Sequence, residues 1–174
     1  MGTVQKPEVW LRGPLRGIIP ILQPVAQALL HTREEINGLM SDFPDDLLYE
    51  RPVGVASVVF HLQHIAGVID RLFTYANGTM LSSDQLTTLK AEGKEEAGKP
   101  FVNDLLETVN IQIDKAVESM GYISYDECLL PRGVGRAQIP STVLGLLVHS
   151  TEHSMRHPGQ LLVTVRIVQS KQNN

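Results

Sequence analysis

The histidines of this chain are concentrated in two short windows of the sequence. Five of the six histidines are His61 and His64 in one window and His149, His153 and His157 in the other. Residues three or four positions apart share one face of an α-helix, so each window predicts a row of imidazoles on a single helical face. Imidazole nitrogens are common ligands of transition metals, and this clustering therefore indicates metal chemistry.

The spacing predicts a metal site that keeps one coordination position free. Two histidines at positions i and i+4 can bind one ion from the same helix, and one from another helix completes a three-nitrogen set. Three protein ligands plus an exchangeable water is the pattern of catalytic zinc, and nickel, copper and iron(II) also accept imidazole. The alternative is a purely structural bundle with histidines in its core. Unpaired buried imidazoles would each cost roughly 1–3 kcal/mol, which favours a shared cation.

Hydrophobic periodicity predicts four long helices that position these histidines. Apolar residues recur at three- and four-residue steps in two of these segments, 21–40 and 101–120, and the segment with the first two histidines is apolar on most sides. The predicted spans are 21–40, 57–77, 101–120 and a last helix that is capped by Ser141 or Thr142 and continues towards Val168.

The connections between these helices complete the predicted architecture. Ser82-Ser83-Asp84 predicts the start of a short extra helix that ends near Glu92, followed by an exposed linker at 93–100. Residues 122–140, which contain Arg132 and Arg136, lack a helical period and predict a long irregular crossover with room for a short strand. The sequence therefore predicts an all-α four-helix bundle with long crossover connections, as a single domain over 1–174.

Composition and charge disfavour several classes of protein. A formal net charge of −4 and a pI near 5.8 provide no field that would attract nucleic acid. Cys128 is the only cysteine, so neither an intrachain disulfide nor a thiolate metal site can form, and a reducing compartment suits the chain. The N-terminus lacks the apolar stretch of a signal peptide, and we expect no membrane span, which predicts a cytoplasmic protein.

Two motifs carry a resemblance to a known family. They are VVFHLQHIA at 58–66 followed by Asp70-Arg71-Leu72, and HSTEHSMRHPGQ at 149–160. In both, the chain resembles the DinB/YfiT-like family of bacterial four-helix-bundle metalloproteins. The resemblance implies a bundle in which two helix pairs are linked by a long crossover. It also implies a divalent metal held by His64 of the second long helix and by His153 and His157 of the fourth.

The same resemblance suggests the cofactor and an activity. The implied metal is nickel or zinc, with iron or manganese as further candidates. Characterised members of the wider family include thiol S-transferases and a thiol-dependent isomerase, which implies a small-molecule substrate and a low-molecular-weight thiol. It also implies a homodimer. No residue is assigned a catalytic role, and a non-catalytic metal- or ligand-binding protein related to stress is the main alternative.

Four residues near the predicted ligands have open roles. Pro158 follows His157, which predicts a kink in the last helix that affects the aim of this ligand. His61 and His149 are expected either to orient a ligand or contact substrate, or to be exposed or packed without a role at the metal. Glu152 is expected to face solvent, because it lies about 100° around the helix from its neighbour His153.

A competing motif overlaps the last histidine window. His149, Glu152 and His153 fit the HxxEH string of inverted zinc peptidases, in which the glutamate acts as the base. This hypothesis leaves His157 without a role and needs a peptide cleft that a small domain does not offer. We therefore expect a metallohydrolase of this type less than a thiol transferase.

Overall fold

Four long α-helices form the framework of the fold. The computed structural model describes residues 6–95 and 100–172. The helices in chain order are α1 Gln23–Met40, α2 Val58–Ala76, α3 Ser83–Ala91, α4 Val102–Met120, α5 Tyr125–Cys128 and α6 Val143–Gln172. The two strands are β1 Pro131–Val134 and β2 Ile139–Thr142. The predicted all-α fold with a short extra helix is confirmed.

Polar side chains define where the long helices begin. The Ser57 hydroxyl accepts the Phe60 N–H and caps α2, and the Thr142 hydroxyl accepts the Gly145 N–H at the start of α6. The Asp45 carboxylate accepts the Val102 N–H at 2.7 Å at the start of α4. Such caps satisfy N–H groups that have no partner within the helix, and they hold each helix in register.

The core lies between the four long helices. Both α1 and α2 pack against α4 and α6, which places α2 next to the helix that carries the second histidine window. The largest fully buried side chains include Leu22, Leu29, Ile36, Leu62, Ile65, Ile69, Ile113, Leu147 and Leu161. They recur at helical spacing in their own helices, so the stripes that predicted the helices are the stripes that pack.

The crossover between α4 and α6 is more ordered than the sequence suggested. Residues 122–140 contain the one-turn helix α5 and strand β1, and β1 pairs antiparallel with β2, with Pro131 opposite Thr142. Arg132 in β1 donates from Nε to the Ala76 carbonyl at 2.7 Å, at the end of α2. The hairpin therefore ties the crossover to α2 and leads the chain directly into α6.

Helix α2 requires one correction to the sequence analysis. The segment Pro52–Ala76 is long and apolar enough to cross a membrane by length and composition, although no such segment was expected from the sequence. However, 61% of its most apolar window is buried within the fold, where α2 packs against α4 and α6. Burial of this kind is what the central helix of a soluble domain shows.

Pro158 does not end helix α6. The helix runs from Val143 to Gln172 with Pro158 inside it, so the chain stays helical on both sides of His157. Proline has no N–H, so the carbonyl of Ser154 loses its usual helical partner. Buried contacts around Pro158 offset this cost, since both His157 and Pro158 are buried.

Candidate metal centre

Helices α2 and α6 bring the two histidine windows together. His64 lies in the second turn of α2, and His153 and His157 lie one turn apart on the face of α6 that packs against it. Ring centroids of His64 lie 5.2 Å from His153 and 4.9 Å from His157. The three predicted metal ligands therefore form one cluster, although they come from two windows nearly ninety residues apart.

The ring nitrogens of this cluster have the spacing of ligands around one ion. Nε2 of His153 lies 3.0 Å from Nε2 of His64 and 3.3 Å from Nε2 of His157. All three histidines offer a nitrogen within 4.8 Å of the others. Metal–nitrogen bonds of about 2.0–2.1 Å separate neighbouring ligands by roughly 2.9–3.4 Å in octahedral or tetrahedral geometry. The donor set therefore fits a divalent transition metal.

Burial keeps imidazoles of this cluster in the neutral form that metals bind. Burial, together with the charge of neighbouring His64, lowers the pKa of His157 to about 3 and that of His61 to about 4. The pKa of His153 is lowered by the same two effects, with burial the larger. Because a metal binds imidazole through an unprotonated nitrogen, these shifts reduce the proton competition at neutral pH.

A buried carboxylate holds the far side of His64. Oε2 of Glu92 lies 2.6 Å from Nδ1 of His64, and the other oxygen of Glu92 accepts the Arg71 guanidinium at 2.6 Å. The Glu92 side chain is only 3% exposed. Burial alone would raise its pKa, but the bonds from His64 and Arg71 outweigh burial and hold the pKa of Glu92 below its ordinary value. A carboxylate on Nδ1 directs Nε2 of the same ring towards a metal.

Gly67 makes room for this ion pair on the surface of α2. A Cβ atom at Gly67 would collide with Nη1 of Arg71 and with Oε1 of Glu92. Glycine inside a helix costs about 1 kcal/mol relative to alanine. Its position one turn before Arg71 therefore permits the close approach of Glu92, which follows α3.

A second buried contact orients His157. Nδ1 of His157 lies 2.9 Å from Nδ1 of His61, so one ring donates a proton and the other accepts it. His61 is only 3% exposed. Of the roles left open for His61, the structure shows a buried ring in contact with a predicted ligand, and the contact leaves Nε2 of His157 directed at His153. Phe60 supports the third ring, because it stacks on His64 with centroids 5.0 Å apart.

The remaining polar residues of α6 lie outside the cluster. His149 is exposed and contacts the ring of His153 edge-on, but it is not in the group of nitrogens close enough to share an ion. Glu152 faces solvent, as predicted, and accepts the Arg156 guanidinium at 2.8 Å. Arg156 also lies 3.2 Å from Nδ1 of His153. A metal on Nε2 would make that Nδ1 a donor, so Arg156 would then bond to Glu152 alone.

Two pockets border the histidine cluster. One of about 280 Å³, here called the site pocket, has His64 and His153 in its wall. A larger pocket of about 580 Å³ has His61 and Arg156 in its wall but none of the three clustered imidazoles. Since the site pocket contains two of the three clustered imidazoles, we assign the open side of the cluster to it.

Comparison with known proteins places this arrangement in a family. The model of the DinB superfamily matches residues 28–161, which include all three clustered histidines. The chain belongs to the DinB superfamily. A crystal structure described as a conserved protein from Enterococcus faecalis superposes with a TM-score of 0.67 at 15% identity, covering 87% of this chain and 99% of that one. At that identity the likeness shows a shared fold alone. No curated protein matches the chain.

Two site residues of this DinB protein were not found from the sequence. Glu92 and Arg71 lie 28 and 7 residues from His64 and neither falls in a metal-ligand spacing. One feature of the sequence could have indicated the role of Arg71: it is a charged residue in a helix that is apolar on most sides. A buried charge is expected to have a partner. Glu92 had none, because α3 is too polar to predict where it packs.

Proposed function

We propose that this DinB superfamily chain is a metal-dependent enzyme that binds one divalent ion through Nε2 of His64, His153 and His157. Its proposed reaction is transfer of a group to a low-molecular-weight thiol. The observation that carries the proposal is the separation of the three imidazole nitrogens, with two gaps of 3.0 and 3.3 Å, in a cluster where His157 is buried and the other two rings are half-buried. Association of the superfamily with metals supports it further.

The donor set suggests which ion would bind. Three imidazoles without a carboxylate or thiolate suit nickel or zinc, and iron or manganese follow as less favoured occupants. Manganese prefers carboxylate oxygen, but among the described residues the carboxylates near the cluster are already paired, Glu92 with His64 and Arg71 and Glu152 with Arg156. We therefore propose nickel or zinc as the physiological metal.

The charge of the site favours an anionic ligand at the open position. Histidine ligands bind in the neutral form, and the negative charge of Glu92 is balanced by Arg71. A dication would therefore keep its full charge, and its Lewis acidity would favour the thiolate form of a thiol at neutral pH. This balance supports a thiol as one reactant.

The protein groups would position the reactants in the transfer itself. The thiol sulfur forms a bond to an electrophilic carbon while the leaving group departs with the electron pair of the broken bond, and the thiol proton passes to solvent. Glu92 fixes the ring of His64, His61 fixes that of His157, and the site pocket confines the reacting molecules. Groups held in place before the reaction lower the entropic part of the barrier.

Thiol consumption tests this reaction. Protein prepared without a histidine tag and loaded with nickel or zinc is mixed with a thiol and a chloronitroarene, and the loss of thiol is followed. His64→Ala should abolish the catalysed rate, and His31→Ala, a histidine of α1 outside the cluster, should retain it. Thiol loss no faster with the native protein than with His64→Ala would overturn the transfer reaction.

One observation favours a non-catalytic function as the second candidate. Within 6–95 and 100–172, both carboxylates near the cluster are already paired, Glu92 with His64 and Arg71, and Glu152 with Arg156. This leaves no free carboxylate base beside the ion, which disfavours hydrolysis and suits a protein that binds a metal or ligand without turnover. Metal binding with no thiol consumption would favour this candidate.

A further inference from the structure

The site pocket has an apolar wall next to the clustered imidazoles. Val68 and Leu72 follow His64 at four-residue steps on the same face of α2, and Tyr75 continues that face. Leu81 and Leu89, from the segment before α3 and from α3 itself, form the opposite wall. The pocket thus extends from the open side of the cluster along an apolar surface.

Charged groups in this pocket are not available to a ligand. Among the described residues that line the pocket, Arg71 alone carries a permanent charge, and it is bonded to Glu92, with a side chain only 10% exposed. His149 lies at the rim, where its side chain is 55% exposed. The larger pocket differs, since it has Arg156 in its wall. An anionic substituent would therefore lose its hydration in the site pocket without gaining a partner.

The size and exposure of the wall fit an apolar substituent. An apolar cavity of roughly 150 Å³ accommodates benzene, and the site pocket measures about 280 Å³. Leu89 is 39% exposed, so its apolar surface is still available for burial by a ligand. Each methylene-sized group buried there should tighten binding about fourfold.

We propose that the site pocket selects a thiol or substrate whose donor atom faces the three histidines and whose substituent is uncharged and apolar, up to about the size of a phenylmethyl group. This inference rests on the proposed function, because it places the donor atom at the metal. It adds the substrate class, and it makes Val68, Leu72, Leu81 and Leu89 the residues that determine specificity.

Thiol titration of the cobalt(II)-loaded protein tests the proposal without an activity assay. The thiolate absorption band reports the dissociation constant for ethanethiol, phenylmethanethiol and 2-mercaptoethanesulfonate. Phenylmethanethiol should bind at least about tenfold more tightly than ethanethiol, since that needs fewer than two methylene equivalents of burial. The sulfonate should bind no more tightly than ethanethiol.

A matched pair of variants tests whether the preference for phenylmethanethiol arises in the site pocket. Leu89→Ala should reduce the preference for phenylmethanethiol at least about threefold and leave ethanethiol binding unchanged. Leu86→Ala, on the same helix at 36% exposure but outside the pocket, should change neither constant. Equal affinities for all three thiols, or equal effects of both variants, would overturn this inference alone. Protein that takes up no cobalt would overturn the proposed function as well.

Discussion

Nδ1 of His64 lies 2.6 Å from Oε2 of Glu92, a residue 28 positions later that directly follows helix α3. The contact makes the short helix α3 part of the metal centre, although none of its residues is buried. Ser82 and Gln85 form a capping box at its start, and this fixes the helix that delivers Glu92. A series of contacts therefore runs from Arg71 through the buried carboxylate of Glu92 to His64.

Replacement of Glu92 tests this series. Glu92→Gln removes the negative charge that orients His64, and loss of such an outer partner typically weakens metal binding by about 10–100-fold. We expect the dissociation constant for zinc, measured by competition with a chromophoric chelator, to rise within that range. Glu107→Gln, at an exposed position on α4, is the control and should change nothing. A constant for Glu92→Gln within about twofold of the native value would contradict the role of Glu92.

Gly67 offers a steric test of the same contacts. Gly67→Ala puts a Cβ atom against Arg71 and Glu92, and overpacking of this kind costs about 1–3 kcal/mol, which exceeds or cancels the gain of up to about 1 kcal/mol from alanine in a helix. The free energy of unfolding should fall and zinc binding should weaken. Gly38→Ala in α1 is the matched control, because its Cβ would meet nothing within 4 Å and should stabilise the helix by up to about 1 kcal/mol. Equal stability changes in the two variants would refute the argument.

The two neighbouring histidines of α6 distinguish the competing motifs. His153→Ala removes a nitrogen of the cluster and should weaken zinc binding by more than about 100-fold, since a direct ligand contributes more than an outer partner. His149→Ala removes an exposed ring outside the cluster and should change the constant by less than about threefold. Calorimetric titration measures both. Similar large losses in the two variants would instead support the HxxEH hypothesis.

The lowered pKa values predict how the metal-free protein responds to acid. The pKa of His61 is about 4 and that of His157 about 3, while the ordinary value is 6.5. The unfolded chain therefore binds protons that the folded chain does not, starting as the pH falls through about 6.5. Stability from these groups is fully present above that pH and is lost below it, by up to about 1.4 kcal/mol per pH unit for each.

Urea denaturation with a chelator, repeated from pH 7.5 to pH 5, measures this loss. The free energy of unfolding should decline towards pH 5 in the native protein. His61→Leu should show a shallower decline, because one of the groups with a lowered pKa is gone. The same slope in both proteins would show that burial of these imidazoles does not control acid stability.

Most of the framework follows from local signals in the sequence. Apolar stripes predicted two of the long helices and a run apolar on most sides predicted a third, and observed ends such as Met40 and Met120 agree with the predicted ones. The cap of the last helix was also predicted, as Ser141 or Thr142, because a hydroxyl at a helix start bonds locally, and Thr142 provides it. The hairpin was not predicted beyond a short strand, because four-residue strands carry too little periodicity to be recognised.

The candidate site could be predicted only where its residues share a helix face. The histidine spacing predicted a ligand set drawn from two helices, the family resemblance implied His64, His153 and His157, and the structure brings these three together. Glu92 depends instead on how α3 docks against α2, and no local pattern encodes such docking. Pro158 lies inside α6, which stays helical on both sides of it, and the kink expected at His157 remains a prediction.

X-ray absorption spectroscopy of tag-free protein loaded with zinc or nickel tests the central claim most directly. We expect one ion per chain, bound by three imidazole nitrogens at about 2.0–2.1 Å, and no ordered ion in His64→Ala. A metal shell without imidazole scattering, or an unchanged shell after loss of His64, would contradict it.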